Sequence, residues 1–252
     1  MTIPEKFTAK GLSAFLPGCC IACGKWPAHS LCSACYDLFK QQKNRCRSCA
    51  IELPSTQLDL CGYCLKAPFA FDETVAAVSY ASPWKELVQN LKFYERTDCA
   101  HLVAQLIHLT LGAHEKVTGA PDLLLPIPVA SLRLRERGFN QSWEIARHLS
   151  RLTHIEANPH ILQHILKTPD AGASQTHRTR KERFRALKGA FSIHEKYLAH
   201  LQDKNTVLID DVMTTGATLH HAALALKKAG ARRVNAWVFA RTPEQRIYSQ
   251  TL

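Results

Sequence analysis

Short apolar runs recur along most of this chain, at Thr74 to Tyr80, Asp122 to Ile127, Ile161 to Leu166, Ala190 to Ile193, Val207 to Ile209 and Val234 to Phe239. Each is too short for a helix and predicts a strand, buried on both faces where the run is unbroken. Between them the apolar residues fall at helical spacing, which predicts helices over Pro83 to Phe93, His101 to Leu111, Asn140 to Leu152 and Ala217 to Lys228. Ser82-Pro83 suits a helix start, and Asn140 offers a side-chain oxygen as N-cap. Strand and helix in alternation imply an α/β fold, an open and mostly parallel sheet with helices on both faces. Ligands of such sheets collect beyond the carboxyl ends of the strands, and here the Val207 to Ile209 strand runs straight into Asp210 to Thr218.

The first 64 residues follow a different pattern and hold nine of the ten cysteines. Four C-x-x-C pairs succeed one another: Cys20/Cys23, Cys32/Cys35, Cys46/Cys49 and Cys61/Cys64. Two such knuckles supply the four thiolates of a tetrahedral zinc site, so eight cysteines predict two structural zinc ions. Four pairs in series do not read as a redox motif, and the attached α/β domain argues against a secreted disulfide scaffold. Short loops favour sequential pairing, with an interleaved cross-brace as the alternative. Cys19 could replace Cys20, and His29 is a fallback ligand. Cys99 reads as a buried small hydrophobe. With few apolar residues of its own, this region is expected to draw most of its folding free energy from metal. A boundary near Ala67-Pro68 predicts a zinc-binding domain over residues 1–70 and an α/β domain over residues 71–252.

Composition narrows the class. The 252 residues, 46% hydrophobic and 21% charged, describe a globular chain able to bury a real core. No apolar run approaches the roughly 18 residues that span a bilayer, so no membrane insertion is expected. The N-terminal stretch MTIPEKFTAKGLSAFLPG lacks a sustained apolar segment and does not read as a signal peptide, which favours the cytoplasm.

The most specific chemistry lies in Val207 to Leu219, VLIDDVMTTGATL. Thr214, Thr215, Gly216 and Thr218 place hydroxyls and unpaired backbone N–H groups at the start of a helix, where a phosphate is favoured. Asp210 and Asp211 repel a phosphate but can accept from sugar hydroxyls or hold Mg²⁺. Phosphate on one side and a diol on the other suit a ribose 5-phosphate. One glycine in the wrong order excludes a Rossmann fingerprint, and the absence of Gly-Lys-Ser/Thr excludes a Walker A loop.

This segment resembles the phosphoribosyl-pyrophosphate (PRPP) signature of type I phosphoribosyltransferases. Together with the string RGFNQS at Arg137 to Ser142 and the cysteine knuckles, it resembles the ComF family, competence-associated proteins that join a double zinc ribbon to a phosphoribosyltransferase domain. The resemblance implies the type I phosphoribosyltransferase fold and Mg²⁺-dependent PRPP binding through Asp210, Asp211, Val212, Met213, Thr214, Thr215, Gly216, Ala217 and Thr218. It implies displacement of pyrophosphate from C1 by a nitrogen nucleophile, with Asp210, Asp211 and Arg137 as catalytic residues; a PRPP-sensing regulator without turnover and a DNA-handling adaptor that only retains the fold are the alternatives. Leu123 to Ser142 falls where the family has its pyrophosphate loop, which adds Pro128 and Val129, with Arg133, Arg135 and Arg137 as cations. Lys167 to Lys188, with seven cations and two acids, falls where the family has a flexible catalytic loop. Lys92 is a further candidate phosphate contact. One departure stands out: several purine-salvage relatives carry an acid at the position of Thr214, and threonine offers no general base.

The net charge of +11 attracts polyanions. Aromatics lie beside cations at Trp84, Phe93, Tyr94, Phe139 and Phe184, a composition that suits stacking on single-stranded nucleic acid. Since ComF relatives are linked to DNA uptake in natural transformation, single-stranded DNA and other competence or DNA-processing proteins are the expected partners besides PRPP.

Overall fold

The computed structural model describes residues 18–28, 30–41, 43–93, 97–113, 120–165 and 180–243. The two cysteine regions repeat one plan. A turn carries the first pair, and a short helix carries the second: α1 (Ser33–Lys40) starts at Cys32 and α2 (Gly62–Lys66) at Cys61. The α/β region follows as β1 (Thr74–Ser79), α3 (Trp84–Phe93), α4 (Thr97–Ala113), β2 (Leu123–Pro126), α5 (Ser131–Arg137), α6 (Gln141–Thr153), β3 (Glu156–Ala157), β4 (Leu162–His164), α7 (Arg180–Ala186), β5 (Phe191–Ile193), α8 (Leu198–Leu201), β6 (Asn205–Met213), α9 (Ala217–Lys228) and β7 (Arg233–Arg241).

Five strands form one parallel sheet in the order β1-β7-β6-β2-β3. Its central strands are buried on both faces, which explains their largely apolar runs, with Asn235 in β7 a buried polar exception. Leu124, Val207, Ile209, Trp237 and Phe239 pack with the helices α3, α4 and α6, while Leu123, Leu125, Leu208, Ala236 and Val238 pack with α9. Adjacent residues of one strand thus serve opposite layers. Strands β4 and β5 stand apart as an antiparallel pair, beside α7 in the chain.

Three elements differ from expectation. Strand β6 continues through both aspartates, because β7 pairs with it along its whole length, from Asn205 opposite Arg233 to Met213 opposite Arg241. The charged side chains hide that continuity in the sequence. The stretch after Pro128, expected as a loop, forms α5 and ends at Gly138, whose φ of +75° suits a residue without Cβ. The cysteine regions also gain a core. Cys20, Ala22, Cys35 and Phe39 join the α3/α4 layer, with Phe39 edge-on to Trp84 at 6.4 Å. Cys46, Cys49, Ala50, Ile51 and Cys64 join the α9 layer. Apolar burial against the sheet therefore adds to whatever a metal contributes.

Candidate functional site

Each cysteine group is closed and tetrahedral in reach. The sulfurs of Cys20, Cys23, Cys32 and Cys35 lie within 4.8 Å of one another, as do those of Cys46, Cys49, Cys61 and Cys64. Pairing is therefore sequential, and the exposed Cys19 stands outside. His29 lies outside the described residues. The Cys23–Cys32 and Cys49–Cys61 sulfur separations are both 3.7 Å. Zn–S bonds of about 2.3 Å in a tetrahedron put sulfurs about 3.8 Å apart, whereas a disulfide needs about 2.05 Å. Backbone N–H groups already face the sulfurs, with the Cys32 amide donating to Cys20 and the Cys61 amide to Cys46. Burial opposes the Cys20 thiolate, but the amides of Cys32, Cys23 and Ala22 outweigh it and bring its pKa down to about 7. Thiol donation from Cys49 and Cys64 holds Cys46 far below the usual range, and in return the Cys46 thiolate pushes Cys49 up to about 11. The donor set fits zinc.

A second constellation lies at the carboxyl ends of the parallel strands, around a cavity of about 360 Å³. Of the residues singled out in the sequence, Lys92, Pro128, Val129, Arg137, Asp210, Asp211, Val212, Thr214, Thr215, Ala217 and Thr218 line it. Met213 and Gly216 sit behind the wall. Met213 is buried, and Gly216 has φ +79°, with Met213 Cε at 2.7 Å and Phe69 Cε1 at 2.8 Å from where a Cβ would be. Only glycine makes this turn. Arg135 is exposed on α5.

The acid pair is held from three elements. Asp210 Oδ1 accepts from the Ser142 hydroxyl at 3.0 Å and from the Asp211 amide at 3.0 Å. Asp211 Oδ1 accepts from the Val212 amide at 2.9 Å, and its Oδ2 lies 2.7 Å from Lys92 Nζ. Burial, then the neighbouring Asp211 charge, push Asp210 up to about 8, against the pull of Lys92, Ser142 and the Asp211 amide. Burial works against the charge of Lys92, yet Asp211 and Asp210 together raise its pKa. Burial thus favours the proton on Asp210, while Lys92 pairs with Asp211 at 2.7 Å.

Ser142 escaped sequence reading, although its signal was present. Asn140 caps α6 by accepting from the amides of Ser142 and Trp143, and its amide group donates to Ile127 O at the end of β2. That ties the first turn of α6 to the strand ends and aims Ser142 at Asp210. Gln141 of the RGFNQS string and Leu187 of the basic Lys167 to Lys188 segment also line the cavity, as do Tyr80, His164 and Phe191, which no motif marks. Arg183, on α7, donates to the Thr214 hydroxyl at 3.1 Å, so a cation, not an acid, stands by this position. Gln175 and Arg178 lie outside the described residues.

The aromatic positions divide differently. Trp84 is buried, and Phe184 packs against Phe69, His220 and His221. Trp84 therefore presents no free face to a base, and Phe184 is half-buried. Tyr94 lies outside the described residues, whereas Trp26, on the first cysteine knuckle, is 64% exposed beside Lys25.

A five-stranded parallel sheet, an acid pair closing its central strand and a Thr/Gly turn opening the next helix define a phosphoribosyltransferase-type protein. The phosphoribosyl transferase domain model matches residues 97–251, more than half of the chain, and the chain belongs to that family. More particularly, with its two four-cysteine groups it belongs to the ComF family. It is 32% identical over 236 residues to the DNA utilization protein YhgH of Escherichia coli (strain K12), covering 90% of this chain and 98% of that one. Competence protein F of Haemophilus influenzae is 29% identical over 215 residues, covering 84% and 91%. Among solved structures, a purine phosphoribosyltransferase from Pyrococcus horikoshii aligns over 60% of this chain and 85% of that chain, at 18% identity and TM-score 0.32. No helix among the described residues is long and apolar enough to cross a membrane.

Proposed function

We propose that the protein binds PRPP with Mg²⁺ in the cavity at the strand ends and transfers its phosphoribosyl group to a nitrogen acceptor. One observation carries this reading: the acid pair, the Thr214–Thr218 turn and the cations Lys92, Arg137 and Arg183 converge on a single cavity. The amides and hydroxyls opening α9 take the 5-phosphate. Asp210 and Asp211 accept from the ribose hydroxyls, with Ser142 fixing the first carboxyl and Lys92 the second. Arg137 faces the diphosphate from the end of α5, where it meets charge that grows as the C1–O bond breaks and the C1–N bond forms. When bound, Mg²⁺ would neutralise the leaving pyrophosphate, and the two aspartates are the donors suited to it. With threonine and Arg183 where a base would be needed, the acceptor nitrogen must arrive already nucleophilic.

The test begins with heat stability. PRPP with Mg²⁺ at about 100 times Kd adds about 2.7 kcal/mol, a rise of roughly 5–10 °C for a chain of this size. An Asp210→Ala/Asp211→Ala variant should not respond. Pyrophosphate release on adding candidate acceptors then separates turnover from binding alone.

A second activity accompanies the first: contact with single-stranded DNA in DNA uptake, alongside other DNA-processing proteins. The exposed Trp26 beside Lys25 and the net charge of +11 favour it, as do the names of the relatives. Affinity for an oligonucleotide should fall steeply with salt and drop in Trp26→Ala. A flat salt response rejects this reading.

A further inference from the structure

Arg241 ends β7, and its guanidinium is buried among backbone carbonyls. Nε donates to Cys49 O at 2.8 Å, and Nη1 to Met213 O at 3.2 Å, Thr214 O at 2.6 Å and Thr242 O at 2.6 Å. Cys49 belongs to the second four-cysteine group, and Met213 and Thr214 open the turn beside the cavity. One side chain thus bolts the two together. A trans peptide points its C=O and N–H in opposite directions. Drawing the carbonyls of Met213 and Thr214 toward Arg241 therefore turns the N–H groups of Thr214 and Thr215 the other way, toward the cavity those residues line. The Thr242 amide also holds the Met213 carbonyl, at 3.1 Å, so the plane that depends most on Arg241 is the one between Thr214 and Thr215.

A second set of contacts joins the same two parts. Phe69, just past Cys64, stacks on Phe71 at 4.6 Å and closes the space above Gly216. The Ala70 amide donates to His220 Nδ1 at 3.1 Å, on α9. The first cysteine group packs elsewhere, on the layer built from α3 and α4. The two groups are therefore not equivalent with respect to the cavity.

We propose that Arg241 is a positioning residue that couples the second cysteine group to phosphate binding. It sets the donor geometry of the Thr214–Thr218 turn without touching the ligand, and metal in the Cys46/Cys49/Cys61/Cys64 group is linked to occupancy of that turn. This inference rests on the reading of the turn as a sugar-phosphate site.

The probes are ribose 5-phosphate, which engages the turn, and magnesium pyrophosphate, which engages the α5 side. Calorimetry on Arg241→Lys should show ribose 5-phosphate binding weakened about tenfold or more, as for the loss of positioned hydrogen bonds to buried groups, with pyrophosphate affinity held within about twofold. A general loss of structure would lower both. Linkage is reciprocal, so the wild-type protein supplies a second measurement. Ribose 5-phosphate should slow the release of one of its two zinc ions to a chromogenic chelator by several-fold and leave the other unchanged. Equal release of both ions with and without the sugar phosphate, or unchanged ribose 5-phosphate affinity in Arg241→Lys, overturns the coupling alone. Failure of the wild type to bind ribose 5-phosphate and PRPP overturns the sugar-phosphate reading with it.

Discussion

Replacing Asp210 with asparagine should stabilise the unliganded protein while abolishing its response to PRPP. The structure supplies the size of the effect. The Asp210 carboxyl has its pKa raised from 3.8 to about 8, chiefly by burial. A carboxyl whose pKa is higher folded than unfolded binds its proton more tightly when folded. Its contribution is therefore full below the unfolded value and is lost progressively as pH rises toward the folded one. At pH 7 the gap from 3.8 is about three pH units, each worth 1.36 kcal/mol, for an upper bound of roughly 4 kcal/mol. Asparagine keeps an oxygen for the Ser142 hydroxyl and the Asp211 amide but loses the dependence on pH. Relaxation will reduce the gain, so we expect about 1–3 kcal/mol, or a rise of roughly 2–10 °C. Thermal unfolding at pH 5 and pH 7.5, with and without PRPP and Mg²⁺, measures both effects. The gain should be small at pH 5 and larger at pH 7.5. A variant that melts below wild type at both pH values, or that still responds to PRPP, refutes the argument.

Three other outcomes are expected. Gly216→Ala combines a positive φ with a Cβ against Met213 and Phe69, and should cost about 2 kcal/mol or more, read as a lower melting temperature and lost PRPP response. Lys92→Met leaves Asp211 buried without its ammonium partner and should destabilise by roughly 1–3 kcal/mol, with Lys92→Met/Asp211→Asn recovering much of the loss in a double-mutant cycle. Elemental analysis should find two zinc ions per chain, and stripping them should lower the melting temperature while leaving part of the α/β signal in circular dichroism; a ratio near zero in carefully purified protein would rule zinc out.

The parallel sheet was readable because a strand buried on both faces can carry almost nothing polar, and Val207 to Ile209 and Val234 to Phe239 satisfy that requirement in any context. The four C-x-x-C pairs were equally plain, since thiolate spacing is local. The turn from Asp210 to Thr218 could be placed at the strand ends because strand, acids, glycine and helix are contiguous. Contacts between distant segments left no such trace. Ser142 meets Asp210 across 68 positions, Lys92 reaches Asp211 from α3, and Arg241 ties Cys49 to Met213 across 192 and 28. Nor does any local pattern distinguish Trp84, packed on Phe39, from the exposed Trp26. Local propensity and periodicity are properties of neighbours in the chain, so they settle which elements form and which residues can bind metal or phosphate. The choice of which groups share a pocket, and which carboxyl keeps its proton there, follows from desolvation and charge assembled only on folding.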